Sequence, residues 1–162
     1  MPMEIAPTCG LIDRFTWRQK LSMRAGWFGF MGVGAWGIYL QDPLWALLYL
    51  SYGLAGFTLV VLPCLCTHCP YPSQFSTCLF LPAGLLRRFY PYRGPQMTTA
   101  GKLAVAVVMV GMVAFPQFWL ISNWGLLIVF WLLALPVITA FPLHYCRRCR
   151  HTGCPMNQAS GA

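Results

Sequence analysis

The sequence contains very little charge. Only 9% of its 162 residues are charged and just three are acidic, whereas 58% are hydrophobic. So few charged residues cannot cover a water-soluble surface at this length. Three carboxylates also leave little for acid–base catalysis, and the sequence has no glycine-rich phosphate loop, nucleophile elbow or HExxH motif. The composition predicts an integral membrane protein and favours a non-catalytic subunit over an enzyme, without deciding the question.

Long apolar stretches occur four times, at residues 25–40, 43–62, 103–121 and 125–141. About 20 apolar residues cross a hydrocarbon core of about 30 Å. The first stretch is short and rich in glycine, which allows close helix packing, and a re-entrant or interfacial segment is the alternative interpretation for it. We expect an all-α membrane protein with four transmembrane helices, arranged as two hairpins that resemble a parallel repeat.

Lysine and arginine are absent from the two short loops within these hairpins, residues 41–43 and 122–124. With four spans, all eleven basic residues therefore lie on the opposite side of the membrane. The positive-inside rule then predicts an inner (cytoplasmic) membrane protein with both termini and all cysteines in the cytoplasm. Topology explains the net charge of +8, so we expect contact with anionic membrane lipids and no binding of nucleic acid.

The chain divides into four parts on this interpretation. A cytoplasmic arm (residues 1–24) precedes a first hairpin with a cysteine group (25–78). A cytoplasmic linker with a short interfacial turn (79–100) then leads to a second hairpin, which carries another cysteine group and the C-terminal tail (101–162). Each half thus has the same order: a hairpin, a proline near its exit, a Cys-x-x-Cys pair and a further cysteine.

Cysteines are concentrated directly after the second helix of each hairpin. The first cysteine group is Cys64, Cys66, Cys69 and Cys78, and the second cysteine group is Cys146, Cys149 and Cys154. In the reducing cytoplasm, Cys-x-x-Cys pairs favour metal binding or redox chemistry over structural disulfides. Two such pairs, Cys66 with Cys69 and Cys146 with Cys149, would complete a tetrahedral four-thiolate site and join the two hairpins.

The spacing does not distinguish zinc from an iron–sulfur cluster. Cys64, Cys78 and Cys154 exceed what one zinc ion needs, and this surplus favours an iron–sulfur cluster because such clusters take thiolates almost exclusively. Zinc is the alternative. All three histidines of the chain lie in or beside the cysteine groups, and His68 and His151 are further candidate ligands. A ligating histidine would be neutral and held by an acceptor at its other ring nitrogen.

Two short segments resemble a known family. Cys66-Thr67-His68-Cys69-Pro70 and Gly153-Cys154-Pro155-Met156-Asn157 resemble fragments of the Cys-Pro motifs in the polytopic membrane iron–sulfur proteins of nitrate and nitrous-oxide respiration. The resemblance implies electron transfer between a quinol pool and a partner, with ligand roles for Cys66, Cys69, Cys149 and Cys154. The chain has no ferredoxin run of the form C-x2-C-x2-C-x3-C-P, so other membrane or redox subunits are the expected partners.

These patterns lead to one favoured function and several alternatives. The favoured function is a subunit, anchor or electron-relay component of a membrane redox complex. The alternatives are a zinc-stabilised scaffold or assembly protein, a soft-metal transporter or sensor, and a thiol oxidoreductase in which a neighbouring histidine activates the Cys66–Cys69 pair. The predicted spans contain no acidic residue, which counts against proton- or cation-coupled transport.

Overall fold

The computed structural model of the protein describes Ile12, residues 14–145 and Arg148. All regular secondary structure within this part is helical, which confirms the expected fold class at that level. The elements are α1 (Trp17–Tyr39), α2 (Pro43–Ala55), a first π-helix (Gly56–Cys66) that continues α2, α3 (Pro70–Gln74), α4 (Ala83–Phe89), α5 (Thr99–Ala114), α6 (Gln117–Leu120), α7 (Trp124–Ala140) and a second π-helix (Phe141–Tyr145) that continues α7.

Among the described residues, three helical segments are long and apolar enough to cross a membrane: Pro43–Cys66, Thr99–Leu120 and Trp124–Tyr145. They correspond to the second, third and fourth predicted spans. The 23 residues of α1 would rise about 35 Å, enough to cross a bilayer, but its N-terminal turns carry three basic side chains. A spanning α1, and with it the four-span arrangement of two hairpins, stays a prediction.

Local side-chain chemistry fixes where the long helices begin. Thr16 and Gln19 form a capping box at α1, in which each side chain accepts a hydrogen bond from the backbone N–H of the other residue. Asp42 caps α2 through the N–H of Leu44, and Thr98 caps α5. Each cap binds a backbone donor that the first turn of a helix leaves without an intrahelical partner.

The glycines of α1 allow it to pack closely within the bundle. α1 lies against α7 and α2, and the first π-helix lies against α5. A Cβ atom at Gly26 would lie 2.5 Å from Cγ2 of Val137, and one at Gly37 would collide with the side chain of Leu120. Gly32, in contrast, has open space around it. Gly26 and Gly37 therefore allow close packing inside the chain.

A tyrosine repairs the backbone at the break between α5 and α6. Pro116 has no N–H, so the carbonyl four residues earlier, that of Met112, loses its helical donor. The Tyr49 hydroxyl donates to that carbonyl at 2.9 Å, and Tyr49 is completely buried. Because lipid offers no water to bind a freed carbonyl, such a replacement donor is what makes a proline tolerable within a span.

Candidate metal centre

The first cysteine group lies at the end of the first π-helix and in the segment that follows it. Cys64 and Cys66 belong to the last turn of that helix, and Cys69 directly precedes α3. All four members of the group are partly exposed, and Cys64, Cys66 and Cys78 are free thiols. One end of a segment that is long and apolar enough to span a membrane thus carries several half-buried thiols.

A tight turn connects Cys66 to Cys69. The N–H of Cys69 donates to the carbonyl of Cys66 at 3.3 Å, and the N–H of His68 donates to the carbonyl of Leu65 at 3.3 Å. A turn closed by this hydrogen bond between residues i and i+3 holds their Cα atoms within about 7 Å. The side chains of Cys66 and Cys69 line the same cavity. The structure therefore brings the first Cys-x-x-Cys pair together at one site.

The cavity has a volume of about 250 Å³. Its remaining wall comes from α3, α4 and the loop after α4, namely Pro72, Ser73, Arg87, Tyr90, Pro91 and Tyr92. The sequence predicts a cytoplasmic linker with a short interfacial turn over residues 79–100, and this prediction missed that the segment contributes to the wall beside the cysteine pair. This wall forms through contacts between residues distant in sequence. The closely spaced prolines, tyrosines and arginines of the segment were the only sequence signal of a folded turn.

The segment that forms this wall is fastened to the first π-helix by the hydroxyl of Tyr90, which donates to the carbonyl of Thr58 at 3.1 Å. In a π-helix the carbonyl of residue 58 accepts a hydrogen bond from the N–H of residue 63. Pro63 has no N–H, so this bond is missing. Tyr90 therefore replaces a missing backbone donor and holds the cavity wall in place.

A second attachment joins the turn at His68 to the end of the loop. The N–H of Arg93 donates to the carbonyl of Thr67 at 2.7 Å, and Nδ1 of His68 lies 2.8 Å from the carbonyl oxygen of Gly94. Gly94 has a φ of 107°, a backbone conformation that side-chain-bearing residues rarely adopt. Glycine at this position lets the loop turn back onto His68.

The hydrogen bond to Gly94 also determines the tautomer of His68. A carbonyl oxygen can only accept, so Nδ1 carries a hydrogen, and in the neutral ring the Nε2 lone pair is then left for another partner. Histidine ligands to metals are commonly held in this way by a backbone carbonyl. His68 therefore has the form that a ligand needs, although the described residues contain no group of three or more His, Cys, Asp or Glu side chains that could hold a metal ion.

The other two cysteines of the first group lie outside the cavity lining. Cys64 Sγ would be 3.6 Å from a Cβ atom at Gly101, which places it against the start of α5. Cys78 lies between α3 and α4 and is half-buried. The described part of the chain thus contributes one thiol pair to the cavity.

The remaining predicted ligands, Cys146, Cys149, Cys154 and His151, fall outside the described residues, as does Cys9. Arg148, a sequence neighbour of Cys149, is described, and hydrogen bonds connect it through Ile12 to Tyr71. The N–H of Ile12 donates to the carbonyl of Arg148 at 2.9 Å, and the hydroxyl of Tyr71 donates to the carbonyl of Ile12 at 2.8 Å. Tyr71 lies two residues after Cys69, and Arg148 directly precedes Cys149 in the sequence.

Aromatic contacts run parallel to this hydrogen-bonded connection. The ring of Phe15 lies 5.0 Å from that of Tyr71 and 5.9 Å from that of Tyr145, between ring centroids. Tyr145 is the last residue of the second π-helix and directly precedes Cys146 in the sequence. The short segment that contains Ile12 and Phe15 therefore joins the exits of the two apolar segments that the cysteine groups follow.

The chain matches no protein-family model, and no curated protein or solved structure matches it. Its likeness to membrane iron–sulfur proteins accordingly consists of the two short Cys-Pro segments. The first of these, residues 66–70, is the turn that places Cys66 and Cys69 on the cavity.

Proposed function

We propose that the protein is an integral membrane subunit that holds one metal centre between its two cysteine groups. It would act as an anchor or electron relay of a membrane redox complex. The observation that carries this proposal is the connection from Tyr71 through Ile12 to Arg148, which links the turn at Cys69 to the sequence neighbour of Cys149. A site shared by both groups needs their two exits to be close, and this connection supports such an arrangement.

The donor set fits a soft or borderline metal. The first pair supplies two thiolates on one cavity wall, and a second Cys-x-x-Cys pair would complete four-coordination. Thiolates alone suit iron–sulfur clusters as well as zinc. Visible absorption together with metal analysis separates the two, because sulfide-to-iron bands colour an iron–sulfur protein whereas zinc is colourless. A colourless protein with one zinc per chain would instead favour the zinc-stabilised scaffold.

We also propose that the chain has four transmembrane helices, that α1 crosses the inner membrane and that both termini lie in the cytoplasm. The basic residues support this orientation, and α1 packs along α7 and α2 with a length that crosses a bilayer. In intact cells a membrane-impermeant maleimide should leave Cys69 unmodified until the membrane is permeabilised. Rapid labelling from outside would contradict the orientation and reopen the possibility of structural disulfides.

Single serine substitutions test the shared site. Cys66→Ser, Cys69→Ser, Cys146→Ser and Cys149→Ser should each lower the metal content of the purified protein, since a four-thiolate site tolerates the loss of a ligand poorly. Cys9→Ser is the matched control and should change nothing. Equal metal loss in the control would show that the ligands are assigned wrongly. Full metal retention in the Cys146→Ser/Cys149→Ser double variant would contradict a shared site.

A further inference from the structure

We propose that the cavity beside Cys66 and Cys69 is a thiol–disulfide exchange site for small, negatively charged disulfides. This activity goes beyond the proposed metal centre and does not depend on it, since the reaction uses the metal-free pair. Three features of the cavity point to this activity: the spacing of the two thiols, the space in front of them, and the positive charge of Arg87 in the lining.

The spacing suits an intramolecular disulfide. The hydrogen bond from Cys69 N–H to the Cys66 carbonyl closes a turn, so the two Cα atoms lie within about 7 Å. Disulfides need Cα atoms about 4.4–6.8 Å apart and side chains on the same side. Both thiols already face one cavity. The pair can therefore be oxidised with little movement of the backbone.

The cavity also has room for a reactant. Its volume of about 250 Å³ is far more than a single metal ion occupies and is large enough for one half of a small disulfide. Pro72 and Pro91 offer apolar walls to a short carbon chain, while Tyr92 adds a hydroxyl-bearing ring. A small molecule can thus approach the thiols along the wall that α4 and its following loop provide.

The charge of the cavity selects for anions. Arg87 belongs to the lining and is solvent-exposed, and a guanidinium binds carboxylates in a directed, paired geometry. The exposed guanidinium of Arg87 can therefore pair with a carboxylate on an incoming molecule.

The reaction is balanced without another reactant. One thiolate of the pair attacks a sulfur of the small disulfide, forming a mixed disulfide and releasing one small thiol. The second cysteine then attacks the mixed disulfide, which forms the Cys66–Cys69 disulfide and releases the second small thiol. The two protons lost by the cysteines end on the two small thiols. The protein pair is oxidised by two electrons, and the small disulfide is reduced by two.

Three disulfides of similar size and different charge test the selectivity. The full-length chain, held in nanodiscs after chelation and reduction, is mixed separately with dithiodipropionate, 2-hydroxyethyl disulfide and cystamine, which are anionic, neutral and cationic. Mass spectrometry of the digested protein follows the Cys66–Cys69 disulfide. Because the leaving thiols differ in pKa, each rate is divided by the rate of the same disulfide with a small free thiol. We expect this ratio to be highest for dithiodipropionate and lowest for cystamine, with a difference that shrinks as salt screens the charges.

Arginine variants assign the selectivity to one side chain. Arg87→Gln should slow the reaction with dithiodipropionate about fivefold, the effect of about 1 kcal/mol for an exposed ion pair, without changing the reaction with the neutral disulfide. Arg87→Lys should restore much of the rate. Arg88→Gln is the matched control, because Arg88 is exposed beside Arg87 but is not part of the cavity lining. This variant should react like the unchanged protein.

Several results would overturn the proposal. One is a reaction that shows no preference for the anionic compound, and another is an equal slowing by Arg87→Gln and Arg88→Gln. A third is a mixed disulfide that accumulates without ever yielding the Cys66–Cys69 bond. The metal content of the same preparations, measured before chelation, reports separately on the metal centre, so failure of one proposal does not imply failure of the other.

Discussion

Tyr49 and Tyr90 each donate a hydrogen bond to a carbonyl that a proline has left without its helical donor, at two very different places in the molecule. Tyr49 is fully buried in the middle of the bundle and repairs the break before Pro116. Tyr90 is half-buried, lines the cavity and repairs the π-helix at Pro63. The same repair therefore stabilises the packed interior in one case and positions the wall of a site in the other.

The difference lies in what surrounds each repair. Around Tyr49 the helices are in close contact, with the ring of Phe115 stacked 5.7 Å from that of Tyr49, and the tyrosine itself is fully buried. Around Tyr90 the same kind of bond borders a cavity of about 250 Å³ with two thiols. Substitutions in the interior should consequently affect stability, and those at the cavity should affect access to the cysteines.

The largest expected effect is overpacking of the interior. Gly37→Leu introduces a side chain where even a Cβ atom collides with Leu120. We expect a loss of about 1–3 kcal/mol in the free energy of unfolding, or failure to assemble the bundle. Denaturant unfolding in mild detergent, followed by circular dichroism, measures this loss. Gly32→Leu is the control, because open space surrounds Gly32, and an equal loss there would contradict the packing described for α1.

An intermediate effect is expected from Tyr49→Phe, which leaves the Met112 carbonyl without a donor in the bundle interior. The cost should be about 1 kcal/mol in unfolding free energy, with no change in the reactivity of Cys66. Tyr52→Phe is the control. The Tyr52 hydroxyl contacts the carbonyls of Val107 and Val108, at 3.3 and 3.4 Å. No proline lies four residues after either of them, so both carbonyls keep their own helical donors. Equal costs for both variants would contradict the repair of Pro116.

The smallest effect on stability should come from Tyr90→Phe, about 0.5 kcal/mol, since its bond lies at the edge of the protein. The substitution should have a larger effect on access to the cysteines, because the loop after α4 then loses its attachment to the first π-helix. We expect maleimide to label Cys66 and Cys69 about two- to fivefold faster, a ratio that corresponds to about 0.4–1 kcal/mol in opening free energy. Tyr92→Phe, on the same wall, should leave the labelling rate unchanged, and an increase there would contradict a specific role of Tyr90.

Sequence patterns predicted the apolar segments well because hydropathy and length constrain them directly. The second predicted span ended at residue 62, whereas the helical segment continues to Cys66. Pro63 suggested an end, but a π-helix accommodates the proline while Tyr90 supplies the missing donor. A change of hydrogen-bonding register leaves no mark in hydropathy, so local pattern alone could not reveal it.

The candidate site was predictable only in part. The Cys-x-x-Cys spacing pointed to a shared position for Cys66 and Cys69, because a turn of that length leaves few alternatives. Arg87 and Tyr90 reach the same cavity through the packing of α4 and its following loop, which depends on contacts distant in sequence. The connection through Ile12 is likewise a pair of backbone-carbonyl contacts that no residue pattern encodes.

X-ray absorption at the metal edge tests the central claim most directly, namely that both cysteine groups bind one centre. The purified protein should show a first shell dominated by sulfur, at about 2.3 Å if the metal is zinc. The Cys146→Ser/Cys149→Ser double variant should lose the metal, or lose half of the sulfur ligands in any metal that remains. An unchanged sulfur shell at full metal occupancy in that variant would contradict a shared centre.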